Sequence, residues 1–208
     1  MAEIIIIISL SLIFIILLRR LPEVRIEGVD EREFKEFEPN KIIREVDQEF
    51  NIKRQEVLNL LSEAEQSFAE RNYQEAEKSY LKIATIDPEN SKIYGRLGII
   101  YLEQKDYSDA AAAFLEAIRR DPNNSFLYNN LGLVSYYLKD FEKSIGAFQK
   151  AIELDESPAK YINLARAYEE MKNYEGAILA VKSALNLDPK SEEYKRMLRD
   201  LEVKTAIQ

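Results

Sequence analysis

Apolar and polar residues divide the chain into three regimes. Ile4 to Leu18 is an almost unbroken apolar run, IIIIISLSLIFIILL, in which only Ser9 and Ser11 are polar. From Pro22 to about Lys53 charged residues dominate, and Val24, Ile26, Val29, Phe34 and Phe37 are scattered without a sustained period. Within this regime Ile42, Ile43, Val46 and Phe50 are spaced as one face of a helix. That spacing predicts a short helix over 41–50, after a spacer over 22–39. From residue 54 onward the apolar positions keep a helical period, and they also repeat at a longer one.

The first run predicts a membrane-spanning helix. Its length comes to roughly 22 Å at about 1.5 Å per residue. Met1 and Ala2 at one end and Leu21 at the other bring it near the ~17–25 residues that a hydrocarbon core takes. Arg19 and Arg20 can snorkel to the headgroups. A cleaved signal peptide would carry a positive start and a small-x-small cleavage site; this chain begins Met-Ala-Glu, and RRLPEVRIEG follows the run. Arg19, Arg20 and Arg25 all lie on the C-terminal side, so the positive-inside rule places the large domain in the cytoplasm. The domain boundaries that follow are 1–21 for the anchor, 22–53 for the charged linker and 54–208 for a helical domain.

The longer period appears when the chain is aligned on its prolines. Pro88 and Pro122 are 34 residues apart, and Pro122 and Pro189 are 67 apart, room for one unit of 33 and one of 34. Residues 57–90, 91–124, 125–157 and 158–191 then superimpose. The fourth position reads Leu60, Tyr94, Tyr128 and Tyr161; the seventh reads Glu63, Leu97, Leu131 and Leu164. The eighth is always small: Ala64, Gly98, Gly132, Ala165. A turn follows at Asn72-Tyr73, Asp106-Tyr107, Asp140-Phe141 and Asn173-Tyr174. The twentieth position is Ala76, Ala110, Ser144 and Ala177, and the twenty-fourth is Tyr80, Phe114, Phe148 and Val181. Small residues at two crossings let two helices approach, and large ones fill the space between them. The third unit is one residue short and shifts its proline to Pro158, which alters its closing turn. Residues 192–207 carry Tyr194, Met197, Leu198 and Leu201 where another first helix would place its core, with no second helix after it; this predicts a capping helix.

The pattern resembles the tetratricopeptide repeat (TPR) family over residues 57–191. The resemblance implies an all-α solenoid of four helical hairpins plus a cap, following the transmembrane helix. It also implies a concave groove, lined by the first helix of each repeat, that holds an extended peptide or a helix of a partner protein. Carried over onto this chain, the lining positions include Lys92, Arg96, Phe126, Asn129, Asn130, Tyr137, Asn163 and Arg166. On that reading Arg96, Asn130, Asn163 and Arg166 grip backbone or carboxylate, and Phe126 and Tyr137 take apolar side chains. The same residues also read more plainly, as solvated cations and as asparagines that the fold favours. The order of Lys92 and Arg96 ahead of the asparagines does not fit the carboxylate clamp of some TPR domains. The architecture is also similar to membrane-anchored bacterial TPR proteins, which implies a single-pass protein of the bacterial inner membrane.

Composition narrows the function classes. The 208 residues are 46% hydrophobic and 32% charged, with a net charge of −8. A basic stripe is what neutralises phosphates, so this balance predicts no nucleic-acid partner. There is no Cys and no His, which removes thiolate chemistry, Cys-based metal sites and the commonest general base. No phosphate-binding loop or nucleophile elbow occurs. Glu169-Glu170 and Glu192-Glu193 are sequence neighbours on solvated helix faces. The expectation is therefore a non-enzymatic scaffold or adaptor with no cofactor, no metal and no small-molecule substrate. Its partners are a protein in the groove and the lipid bilayer along residues 4–18. The alternative is a permanent subunit of an envelope, secretion or pilus assembly.

Overall fold

The computed structural model describes residues 39–207, with side chains from Arg44 onward. The expected membrane segment, residues 4–18, and all but the last residue of the expected spacer over 22–39 lie outside the described residues; Pro39 is the first residue of a helix. Among the described residues no helix is long and apolar enough to cross a membrane. The chain divides into two compact units, Met1–Gln55 and Glu56–Gln208.

The described residues form nine helices and no strand: α1 (Pro39–Ala69), α2 (Tyr73–Ile86), α3 (Ser91–Gln104), α4 (Tyr107–Arg120), α5 (Ser125–Tyr137), α6 (Phe141–Leu154), α7 (Pro158–Glu170), α8 (Tyr174–Leu187) and α9 (Glu192–Ile207). Helix α1 has 31 residues, about twice the length of the others. Residues 41–50 belong to it and do not form a short helix of their own, because no Pro or Gly interrupts the chain between Asn40 and Ala69.

In the second unit the helices pair as hairpins, α1 with α2 through α7 with α8, and α9 closes the row against α8. The small residues explain the pairing. Ala76, Ala110, Ser144 and Ala177 are fully buried, as are Ile83, Ala117, Ala151 and Ala184 one to two turns later. A Cβ on Gly98 would stand 2.7 Å from the ring of Phe114, and one on Gly132 would stand 2.6 Å from the ring of Phe148. The large residue of the twenty-fourth position thus fills the space the eighth position leaves empty. The Ser144 hydroxyl uses the close approach to donate to the Gly132 carbonyl at 2.8 Å.

Each hairpin turn is built the same way. Arg71, Lys105, Lys139 and Lys172 hold left-handed backbone, with φ between 58° and 65°. The next residue, Asn72, Asp106, Asp140 or Asn173, then donates its N–H to a carbonyl five residues back at 2.8–2.9 Å, a Schellman closure. In three of the four the same residue caps the following helix: Asn72, Asp140 and Asn173 accept from the N–H of Glu75, Lys143 and Gly176. One Asn or Asp therefore ends one helix and starts the next.

The third repeat closes differently. Asp87, Asp121 and Asp188 share one backbone conformation after their helices, whereas Asp155 is extended, with φ −161° and ψ 116°. Pro158 then opens α7 at its first turn, where a missing N–H costs nothing. The gap is bridged by Lys160, whose ammonium donates to the Asp155 carbonyl at 2.6 Å, to its carboxylate and to the Ser125 hydroxyl at 3.2 Å. Lys160 is buried, and these partners compensate its charge.

At the end of the row, Leu201 of α9 is fully buried against the cluster formed by Phe148, Ile162, Val181 and Ala184, and Tyr194, Met197 and Leu198 pack beside it.

Candidate functional site

The first helix of each hairpin leaves one face uncovered by its own second helix. Along this face in the second, third and fourth repeats two hollows open on either side of Phe126. One, of about 300 Å³, is lined by Lys92, Gly95, Arg96, Ile99, Phe126 and Leu127, among others. The other, also about 300 Å³, is bounded by Ser125, Phe126, Asn129, Asp155, Ser157 and Lys160. Phe126 is 50% exposed between them. Its ring forms a wall shared by both hollows and is open to solvent.

The expected groove residues separate into three groups. Lys92, Phe126 and Arg166 are exposed on the face. Neither Lys92 nor Arg166 has an ion-pair partner among the described residues. Arg96, Asn129 and Asn163 are present but occupied. Arg96 forms an ion pair with the Glu65 carboxylate at 3.0 Å, and its guanidinium lies 5.9 Å from the centre of the Phe68 ring. Asn163 donates to the Asn129 side-chain oxygen at 3.1 Å, which joins the first helices of two successive repeats.

Asn130 and Tyr137 are engaged within the protein. Asn130 is only 7% exposed, and its amide nitrogen donates to the Phe126 carbonyl one turn earlier at 2.8 Å. This bond braces α5. Tyr137 is exposed, but it stands at the hairpin-turn edge of α5, stacked on Tyr107 with ring centres 5.0 Å apart and planes 15° from parallel. It joins a ladder of contacts along that edge: Tyr73 to Glu103, Tyr107 to Tyr137, Tyr136 to Glu170, and Glu169 to Lys204.

Sequence reasoning missed Gly95, Ser125, Asp155 and Lys160 as lining residues. Gly95 carried a signal, since the equivalent positions in the other repeats hold Leu61, Asn129 and Ile162. A Cβ there would stand 3.2 Å from the Leu127 side chain, so the glycine sets the depth of the first hollow. Lys160 carried none, because its place beside Ser125 depends on the altered third turn.

Several carboxylates of the face and of its hairpin-turn edge are already engaged. Glu65 is taken by Arg96, Asp155 by Lys160 and Glu169 by Lys204. Glu170 accepts from the Tyr136 hydroxyl at 3.1 Å; burial first, and then this carboxylate, hold that phenol above its usual pKa. Beneath the first repeat Tyr80 is wholly buried. Its hydroxyl is pushed upward by burial and then by the Glu65 carboxylate, which does not reach hydrogen-bond geometry with it.

A row of helical hairpins with one open face defines a class of protein-interaction scaffold, a fold that in general performs no chemistry. Tetratricopeptide-repeat models match residues 67–131, 125–158 and 161–191, and the chain belongs to the tetratricopeptide-repeat family. Among curated proteins, none matches the chain as a relative. Solved structures share the fold at low identity. MamA from Desulfovibrio magneticus RS-1 is 18% identical, with a TM-score of 0.68 over 73% of this chain and 86% of that one. A tetratricopeptide repeat protein from Parabacteroides merdae ATCC 43184 is 17% identical, with a TM-score of 0.69 over 73% and 61%. The TPR domain of Arabidopsis OM64 is 23% identical, with a TM-score of 0.52 over 55% and 95%.

Proposed function

We propose that the protein is a membrane-tethered adaptor that seats an extended peptide or a helix of a partner protein along the open face of its second to fourth repeats. The observation that carries this reading is Phe126, a half-exposed ring between two hollows. An apolar anchor of the partner enters one hollow against this ring and Ile99. Lys92 and Arg166, which have no ion-pair partner among the described residues, supply charge-assisted hydrogen bonds at the two ends. Asn129 and Asn163 offer their remaining donors and acceptors to peptide backbone. The tether is the apolar run over residues 4–18, and Arg19, Arg20 and Arg25 after it favour the cytoplasmic side for the repeats.

The test is affinity capture with the full chain from solubilised membranes, read by mass spectrometry. Phe126→Ala together with Arg166→Ala should weaken recovery of groove partners about tenfold or more, as truncating a central anchor typically costs ~2 kcal/mol. Helical content should be unchanged, because neither side chain supports the core. An unaltered partner list would sink the groove reading. In the same preparation, removing residues 1–21 should move the protein from the membrane pellet to the supernatant; retention in the pellet would refute the tether.

A further inference from the structure

Helix α1 is more than twice as long as its partner α2, and its first half carries two exposed apolar side chains on one face. Every residue from Arg44 to Glu56 is exposed. Two large apolar side chains lie in this stretch one turn apart, Val46 at 44% exposure and Phe50 at 52%. Residues four apart share a helix face, so the two stand together. In sequence the same spacing begins at Ile43 and runs on to Lys53, alternating steps of three and four, and ends at Val57, which already packs against the core of the first repeat. That is the a/d rhythm of a two-stranded coiled coil, with Phe50 at a and Val46 at d.

We infer that this stretch of α1 pairs with the same stretch of a second copy of the chain, parallel and in register. The flanking charges select both partner and direction. In a parallel pair a g residue faces the e residue five positions later on the other helix. With Phe50 at a, Glu49 is at g and Arg54 at e, so each copy offers Glu49 to Arg54 of the other. An antiparallel pair would set g against g and e against e; its Asp47–Arg54 attraction would be offset by Glu49 meeting Glu56, acid against acid, whereas the parallel pair has the Glu49–Arg54 attraction without that repulsion. Lys53 occupies a seam position, yet its ammonium already leans outward to Glu49 at 2.6 Å. Its methylenes can cover the seam while the charge stays in water. Ile52 is outside the seam and takes no part. The pairing is independent of the groove reading, since it uses none of the groove residues.

The chain contains no cysteine, so one introduced thiol reports on its own position. Three full-length variants, Val46→Cys, Phe50→Cys and Gln48→Cys, are oxidised in native membranes and in detergent and run without reductant. Gln48 lies roughly 160° around the helix from both seam residues. The expected result is a disulfide-linked dimer for Val46→Cys and Phe50→Cys and none for Gln48→Cys. Adding Phe50→Glu to Val46→Cys places like charges across the seam and should cut its dimer by about tenfold, the effect of ~1.4 kcal/mol. No dimer in any variant, or equal dimer in all three, would overturn the pairing. So would seam thiols that resist maleimide yet never link, which would show a different occupant on this face.

Discussion

Arg71, Lys105, Lys139 and Lys172 adopt a backbone that residues with a Cβ avoid. A left-handed residue costs roughly 1–2 kcal/mol, and here the cost recurs once per repeat. Glycine would remove it, at the expense of more freedom lost on folding. The net expectation for Lys139→Gly is a gain of about 0.5–1 kcal/mol, read as an upward shift of the urea midpoint with unchanged slope. A fall would show that the lysine side chain contributes something beyond its conformation. The same turns show what sequence can and cannot tell. Asn and Asp at the turn announced a break, and they are the Schellman closures and helix caps. The left-handed residue before them is basic and not glycine, so composition gave no sign of it. Asn130 and Arg96 are a similar case. Periodicity puts both on the first helix of a repeat, but it does not show that Asn130 bonds to the Phe126 carbonyl or that Glu65, on the preceding repeat, takes Arg96.

At the scale of the element, the hairpins were legible because steric fit leaves a compositional trace. Gly98 against Phe114 and Gly132 against Phe148 need a missing side chain opposite a large one, and the repeat alignment exposes that pairing directly. Contacts between repeats leave a weaker trace. Arg120 is an example: its side chain is 6% exposed, and its guanidinium lies 4.0 Å from the centre of the Tyr94 ring. It donates to the Glu116 carbonyl at 2.9 Å and to the Tyr94 hydroxyl at 3.3 Å, and it also reaches the Pro88 carbonyl. Arg120 thus ties the end of α4 to the turn before α3. The equivalent residues in the other repeats are Ile86, Leu154 and Leu187, so no repeat pattern reveals the clamp. Arg120→Lys keeps the charge but loses the planar stack and the forked donors. It should cost roughly 1–2 kcal/mol in chemical denaturation, and an unchanged midpoint would show the clamp to be idle. Glu116 beside it is held down to a pKa of about 2 by Arg119 first and then Arg120, so it stays ionised across the physiological range. The length of α1 is the other feature that escaped the sequence. Its charged first half lacks the repeat signature, and helix continuity there rests on the absence of breakers more than on any positive signal.

At the scale of the second unit, stability is distributed along a line. Among the described residues, helices make substantial contact within a repeat or with the next one and no further. Such arrays behave as coupled neighbours, not as a single core. That arrangement also explains how far the sequence could speak about function. The row of hairpins follows from local rules repeated four times, whereas the binding face depends on what each repeat sets opposite the next. Phe126 and Lys92 were visible as exposed lining residues because they need no partner. Lys160 was not, since its position comes from one deletion in the third turn.

The edge ladder that runs from Tyr73–Glu103 through Tyr107–Tyr137 and Tyr136–Glu170 to Glu169–Lys204 has a mechanical meaning. Each rung joins one hairpin turn to the repeat behind it, so tension applied at the two ends of the chain loads the rungs in series. The weakest outer rung gives way first and exposes the next. A single molecule stretched between its termini should therefore lengthen in a staircase, not in one release. Each full step would add roughly 110–120 Å of contour, the extended length of one 34-residue repeat. A single jump of the whole domain would show that the repeats yield as one block.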